Sequence, residues 1–160
     1  MEPLEHNTDT TPARLGTAAE LLGYLAVAPL LACLAAVALL SGYAGRELAQ
    51  RGTIAWGAVL LAFTGAVHWG LALAGRVPAS PARMVAAAAP ALAATVAVLI
   101  GGQRALALLV VGFGAFWLYE HRSLGTVLPP AYLGLRRNLS LATCTLLALT
   151  MIASDAAGLL

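Results

Sequence analysis

Three stretches of this chain contain no aspartate, glutamate, lysine or arginine: Leu21–Gly45, Gly52–Gly75 and Met84–Gln103. Each has the ~20 residues that a helix rising ~1.5 Å per residue needs to cross a ~30 Å hydrocarbon layer. Two shorter uncharged stretches follow, Ala105–Tyr119 and Asn138–Ser154. Of the 160 residues, 61% are hydrophobic and 10% charged, whereas a soluble domain carries about a quarter charged residues. Most of the surface must therefore face something other than water. The pattern predicts an all-α fold: a polytopic membrane helical bundle with five transmembrane helices, at about 17–40, 53–74, 84–100, 105–119 and 139–156. These form a single domain over 17–160. Residues 1–16 read as a disordered polar lead-in, since their acidic start fits neither a secretory signal nor a transit peptide.

Turn-forming residues set the expected boundaries. Pro29 removes a helical hydrogen bond and crowds the turn before it, which predicts a kink near Leu25–Pro29. The second helix should stop at "GRVPASPAR", and "GGQR" at 101–104 should divide residues 84–119 into two spans joined by a tight turn. Both are short for a crossing, so a re-entrant hairpin is the rival to two crossings. Pro129 and Pro130 interrupt the longest polar connection. The "AYLGLRRNL" that follows them reads as a short segment lying on the membrane surface. Ala58, Ala62, Ala66 and Gly70, and likewise Ala28, Ala32 and Ala36, recur at four-residue spacing and predict small-residue packing ridges.

Five crossings place Arg14, Arg76, Arg83, Arg122, Arg136 and Arg137 on one side and Arg46, Arg51 and Arg104 on the other. Basic residues favour the cytoplasmic side, so the N-terminus is expected there and the C-terminus outside. The nine basic residues are all arginine, and the net charge is only +2. So sparse a positive surface excludes nucleic acid as a partner and leaves the lipid bilayer.

One apolar run, "FTGAVHWGLALAG" at 63–75, carries a histidine. His68 lies eight residues before Arg76, about 12 Å along a helix, which puts it below the headgroups. Leu61, Thr64, Gly65, His68 and Ala72 share a helical face. Gly65 leaves a groove there for a neighbouring backbone or a ligand. Ionisable groups at such depth face a bundle interior and have partners. The topology offers Glu20, Tyr119 and Glu120 on the same side, with Arg122 close by and Arg136 and Arg137 as a lid contacting lipid phosphate. The plainer alternative is a neutral histidine that pins two helices, with Trp69 as a packing or interface-belt aromatic.

Chemistry is sparse elsewhere. Cys33 and Cys144 lie far apart in apolar segments, with no CxxC or His/Cys spacing. No HExxH, GxSxG, Walker or Rossmann pattern is present, and a bis-histidine haem lacks a second histidine at matching depth. No metal, cofactor or catalytic set is expected, and the chain reads as a non-enzyme.

"GYLAVAPLL", "AWGAVLLAFTGAVHWGLAL", "FWLYEHR" and "LPPAYLGLRRNLSLATC" occur in this order. In this order and spacing the chain resembles the bacterial membrane family catalogued as domain of unknown function 3429, similar to eukaryotic transmembrane protein 69. The resemblance covers roughly Leu21 to the C-terminus. Gly65, His68, Trp69 and Gly70 are its most distinctive part, with Pro29, Tyr119, Arg122, Tyr132 and Arg136 in support. The family often has an acidic residue directly before its basic pair after the fourth helix; here His121 splits Glu120 from Arg122. The resemblance implies a multi-pass protein of the bacterial inner membrane and carries no activity or substrate.

Three functions are therefore open. The first is an accessory or assembly protein packing against other membrane proteins. The second is a binder of a small amphiphile, a quinone or a lipid head group, in a cytoplasmic-side pocket around His68, with Arg136 and Arg137 attracting an anionic head. The third is a proton-coupled carrier titrating His68.

Overall fold

A computed structural model describes residues 17–124 and 128–159, and every regular element among them is helical. The sixteen-residue tail lies outside the described residues. The elements are α1 (Thr17–Leu25), α2 (Ala28–Leu39), α3 (Tyr43–Leu73), α4 (Pro81–Ile100), α5 (Gly102–Leu124) and α6 (Pro130–Ala156). Among the described residues, five helical segments are long and apolar enough to cross a membrane, the first being Glu20–Leu39, which runs through α1 and α2. Residues 84–119 thus belong to two separate membrane-length helices.

The break between α1 and α2 falls at Ala26–Val27, inside the predicted kink. Pro29 cannot donate to Leu25, and the Leu30 N–H turns to the Val27 carbonyl instead. That leaves the Ala26 carbonyl without its helical donor. The Trp56 indole Nε1–H, thirty residues on, donates to it at 2.8 Å.

Two helices start earlier than expected. α3 begins at Tyr43, ten residues before the predicted Thr53, because the loop charges pair locally. Arg51 donates to Glu47 one turn back at 2.6 Å, and Arg46 donates to the Leu40 carbonyl just before the helix. α6 begins at Pro130 and takes up the whole "AYLGLRRNL" segment. Pro at a first helical position has no N–H to lose and a φ already suited to a helix, so Pro129–Pro130 start a helix there. The expected surface-lying segment is its first two and a half turns. α5 likewise runs past 119 to Leu124. Ser80 caps α4 by accepting from the Arg83 N–H. Gly101 and Gly102, at φ 63° and 59°, make the α4–α5 reversal in a left-handed conformation that side chains disfavour. Gln103 and Arg104 sit in the first turn of α5, and the Gln103 amide donates to the Met151 carbonyl at 2.8 Å, tying α5 to α6.

α3 is the central helix, touching α2, α4, α5 and α6. The main core joins Ile54, Ala58 and Leu61 of α3 to Ala94 and Ala97 of α4, Leu106 and Leu109 of α5, and Leu147 of α6. Large apolar residues such as Leu39, Leu73 and Leu99 point outward and are about four-fifths exposed. Gln50, Thr53, Thr64, His68, Glu120 and Ser154 point inward and are buried. Among lipid tails no hydrophobic drive distinguishes core from surface, so packing and polar contacts decide what turns inward.

The expected alanine ridges supply that packing only in part. Ala58 is buried and Ala62 is partly buried against the core, and Ala36 is partly buried, but Ala66 and Gly70 are exposed, as are Ala28 and Ala32. Four-residue steps advance 400°, so such a row drifts about 40° per step around a 3.6-residue helix and leaves the interface. The face that packs is the mixed one predicted around the histidine: Leu61, Thr64, Gly65, His68 and Ala72 are all buried.

Candidate functional site

The inward face of α3 carries His68 five residues before its last residue, Leu73. At that same end α5 brings Phe116, Tyr119 and Glu120, and α6 brings Tyr132 and Arg136. Phe113, Phe116, Glu120 and Leu124 recur every three or four residues on α5 and are all buried, so helical register carries Glu120 inward among aromatics. Arg136 reaches it from α6: Nε and Nη2 donate to Glu120 Oε2 at 3.2 and 3.1 Å. The pair is shielded, with side chains 13% and 2% exposed.

His68 has no exposure at all. Phe116 meets its ring edge-on, centroids 5.1 Å apart, and Tyr119 lies tilted across it at 5.6 Å. Its Nε2 faces Glu120 Oε1 at 3.9 Å, too far for a hydrogen bond. Among the described residues neither ring nitrogen has a hydrogen-bond partner, and neither does Glu120 Oε1. Buried polar atoms are nearly always paired, so His68 Nε2 and Glu120 Oε1 facing each other unpaired mark a place where a small side-chain shift, a water or a polar ligand atom completes the set. The Thr64 hydroxyl one turn earlier is satisfied by the Leu61 carbonyl at 2.6 Å.

Gly65 allows α4 to come this close. A methyl group at that position would overlap the Ala87 carbonyl oxygen and crowd Pro90. Of the two occupants expected for the Gly65 groove, a neighbouring backbone is the one found.

The other expected residues scatter. Trp69 is next to His68 but about 100° around the helix, and it is 44% exposed on the outer surface. Glu20, Arg122 and Arg137 are exposed, and among the described residues they form no ion pair or side-chain hydrogen bond with the cluster. Arg136 is drawn into the bundle instead of lying over it. Two residues that sequence reasoning passed over matter here, Phe116 against the histidine and Trp56 at the α1–α2 break, and Tyr132, marked only by the family resemblance, lines the cleft with Arg136.

Next to the cluster, between the α1–α2 break, α3 and α6, is a cleft of about 460 Å³. Its walls are mainly apolar, with Leu22, Phe63, Val67 and Leu139 among them. Arg136 is the one charged residue lining it, and Tyr132, Thr64 and Ser140 add hydroxyls. A depression of about 540 Å³ at the opposite end is lined by Tyr43, Glu47, Gln50 and Arg51. Its charges pair with each other at the surface, Arg51 on Glu47 at 2.6 Å; the buried Gln50 Nε2 has no partner among the described residues, but the depression holds no buried charge pair of the kind Arg136 and Glu120 form at the His68 end. Among the described residues, no three of His, Cys, Asp and Glu are placed to hold a metal ion.

Residues 16–152 match a family model described as protein of unknown function (DUF3429). The chain belongs to this family. No curated protein and no solved structure matches the chain. The matched region takes in the whole cluster, from Thr64 and His68 through Glu120 to Tyr132 and Arg136, and leaves out only the ends of the chain.

Proposed function

We propose that this member of the family is a multi-pass protein of the bacterial plasma membrane that binds a small amphiphile in the cleft beside Arg136. It acts by binding and not by catalysis. The observation that carries the reading is a single one: an apolar cleft between membrane helices ends on a guanidinium whose carboxylate partner is buried. Ligand sites of about 300–1,000 Å³ are mostly apolar with a few converging polar groups, and this cleft has that make-up. An amphiphile's tail fits the wall of Leu22, Phe63, Val67 and Leu139. Its head meets Arg136, Tyr132 and Ser140.

The arginine distribution supports a cytoplasmic His68 end. Arg136 is engaged internally and counts less toward topology, yet five arginines remain on that side against three.

The test is to purify wild type and a Val67→Trp variant in mild detergent and identify retained lipids by mass spectrometry of the extract. Val67 is half-buried on the cleft wall, so an indole there fills the space. Wild type should retain a near-stoichiometric amphiphile that the variant loses. Equal retention in both, or none in either, refutes the reading. A stoichiometric protein partner without lipid would return the choice to an assembly role.

A further inference from the structure

We infer that the head group accepted by this cleft is uncharged and accepts hydrogen bonds, and that Glu120 is the residue that sets this choice. The inference rests on the cleft being an amphiphile site. It reverses the expectation that two adjacent arginines attract an anion. Of that pair only Arg136 lines the cleft, and two of its nitrogens already donate to Glu120 Oε2. The carboxylate is 2% exposed, so water does not share the compensation of its charge. An anionic head at Arg136 would compete for the same guanidinium and leave Glu120 as a poorly compensated buried charge. A cationic head would meet Arg136 itself. An acceptor without charge meets neither objection. Arg136 Nη1 makes no hydrogen bond among the described residues and is free to donate to a carbonyl or ether oxygen. Tyr132 and Ser140 hydroxyls are available on the same wall. His68 faces Glu120 Oε1 through Nε2 at 3.9 Å and does not line the cleft.

Glu120 is thus a specificity-determining residue that acts through Arg136 without touching the ligand. Its effect is read with two probes that share an oleoyl ester tail: monoolein, which is neutral, and oleoyl lysophosphatidate, which carries a phosphate. Equal amounts of both compete for the purified full-length protein, and native mass spectrometry counts each bound species. Wild type should prefer monoolein by about tenfold or more, a step of about 1.4 kcal/mol. Glu120→Gln leaves the Arg136 charge unbalanced and should invert the preference toward the phosphate. The double variant Glu120→Gln/Arg136→Gln is charge-balanced again and should favour monoolein, which separates charge from any damage to folding. If wild type takes both probes equally, or favours the lysophosphatidate, the charge argument is overturned while the cleft stands. An unchanged ratio in Glu120→Gln overturns it too. If wild type retains neither probe, the amphiphile reading and this inference fall together.

Discussion

Replacing Gly65 by alanine adds one methyl group to a site that has no room for it. The added Cβ would overlap the Ala87 carbonyl oxygen and lie 3.3 Å from the carbonyl carbon and from Pro90 Cγ. The obstacle is backbone, so no rotamer change relieves it, and α3 and α4 must separate. Overpacking a tight interior costs about 1–3 kcal/mol, and a backbone obstacle places this case near the upper end. A matched control lies on the same helix. A Cβ at Gly70 would meet nothing within 4 Å, and the position is exposed, so Gly70→Ala adds the same methyl group at no contact. Equilibrium unfolding in mixed dodecyl sulfate and mild detergent, followed by tryptophan fluorescence, compares the two. Helices persist in that denatured state, so the helix-propensity advantage of alanine largely cancels. Gly65→Ala should lose about 2–3 kcal/mol, and Gly70→Ala should stay within about 0.5 kcal/mol of wild type. Parity between the two variants would refute the claim that α3 and α4 meet backbone to side-chain-free backbone at this point.

Two further outcomes follow from single contacts. Trp56→Phe keeps an aromatic ring but removes the donor to the Ala26 carbonyl; the cost should be about 1 kcal/mol, and amide exchange should rise at residues 22–30 while the centre of α3 keeps its protection. Glu120→Leu strands Arg136 in the bundle and should cost about 3–5 kcal/mol, whereas His68→Phe removes two unpaired nitrogens from an aromatic pocket and should fall within about 1 kcal/mol of wild type. A His68→Phe loss as large as that of Glu120→Leu would show that the ring is hydrogen-bonded after all.

The spans were legible because length and lack of charge are one-dimensional properties. Their ends were less so, and for identifiable reasons. Glu47 and Arg51 look like loop charges until they are set four apart on a helix, where they pair and extend α3 toward Tyr43. Glu120, His121 and Arg122 look like a solvated helix end. Yet Phe113, Phe116, Glu120 and Leu124 form one buried row, which reads as such only if α5 is allowed to run past Tyr119. The α3 face of the site was readable from i, i+3 and i+4 spacing, since Thr64, Gly65 and His68 stand within one stretch of helix. Its partners stand two and three helices further along the chain, and no local spacing selects Arg136 over Arg122 or Glu120 over Glu20. Trp56 was hidden for the same reason: its acceptor is a carbonyl freed by a proline in an earlier helix.

The basic pair Arg136–Arg137 shows how far a helix can separate neighbours that look like a unit. Read as a surface segment, both arginines face headgroups. Read as part of α6, adjacent residues diverge by about 100°, so when one faces the bundle the other cannot. Tyr132, Arg136, Leu139, Ser140 and Thr143 then share the side that lines the cleft, and Arg137 turns to the surface. The early start of α6 at Pro130 is what fixes this division. It delivers one arginine to Glu120 and sets the apolar cleft against a charge that is already balanced. It leaves the other arginine where a headgroup phosphate can be met without any cost to the interior.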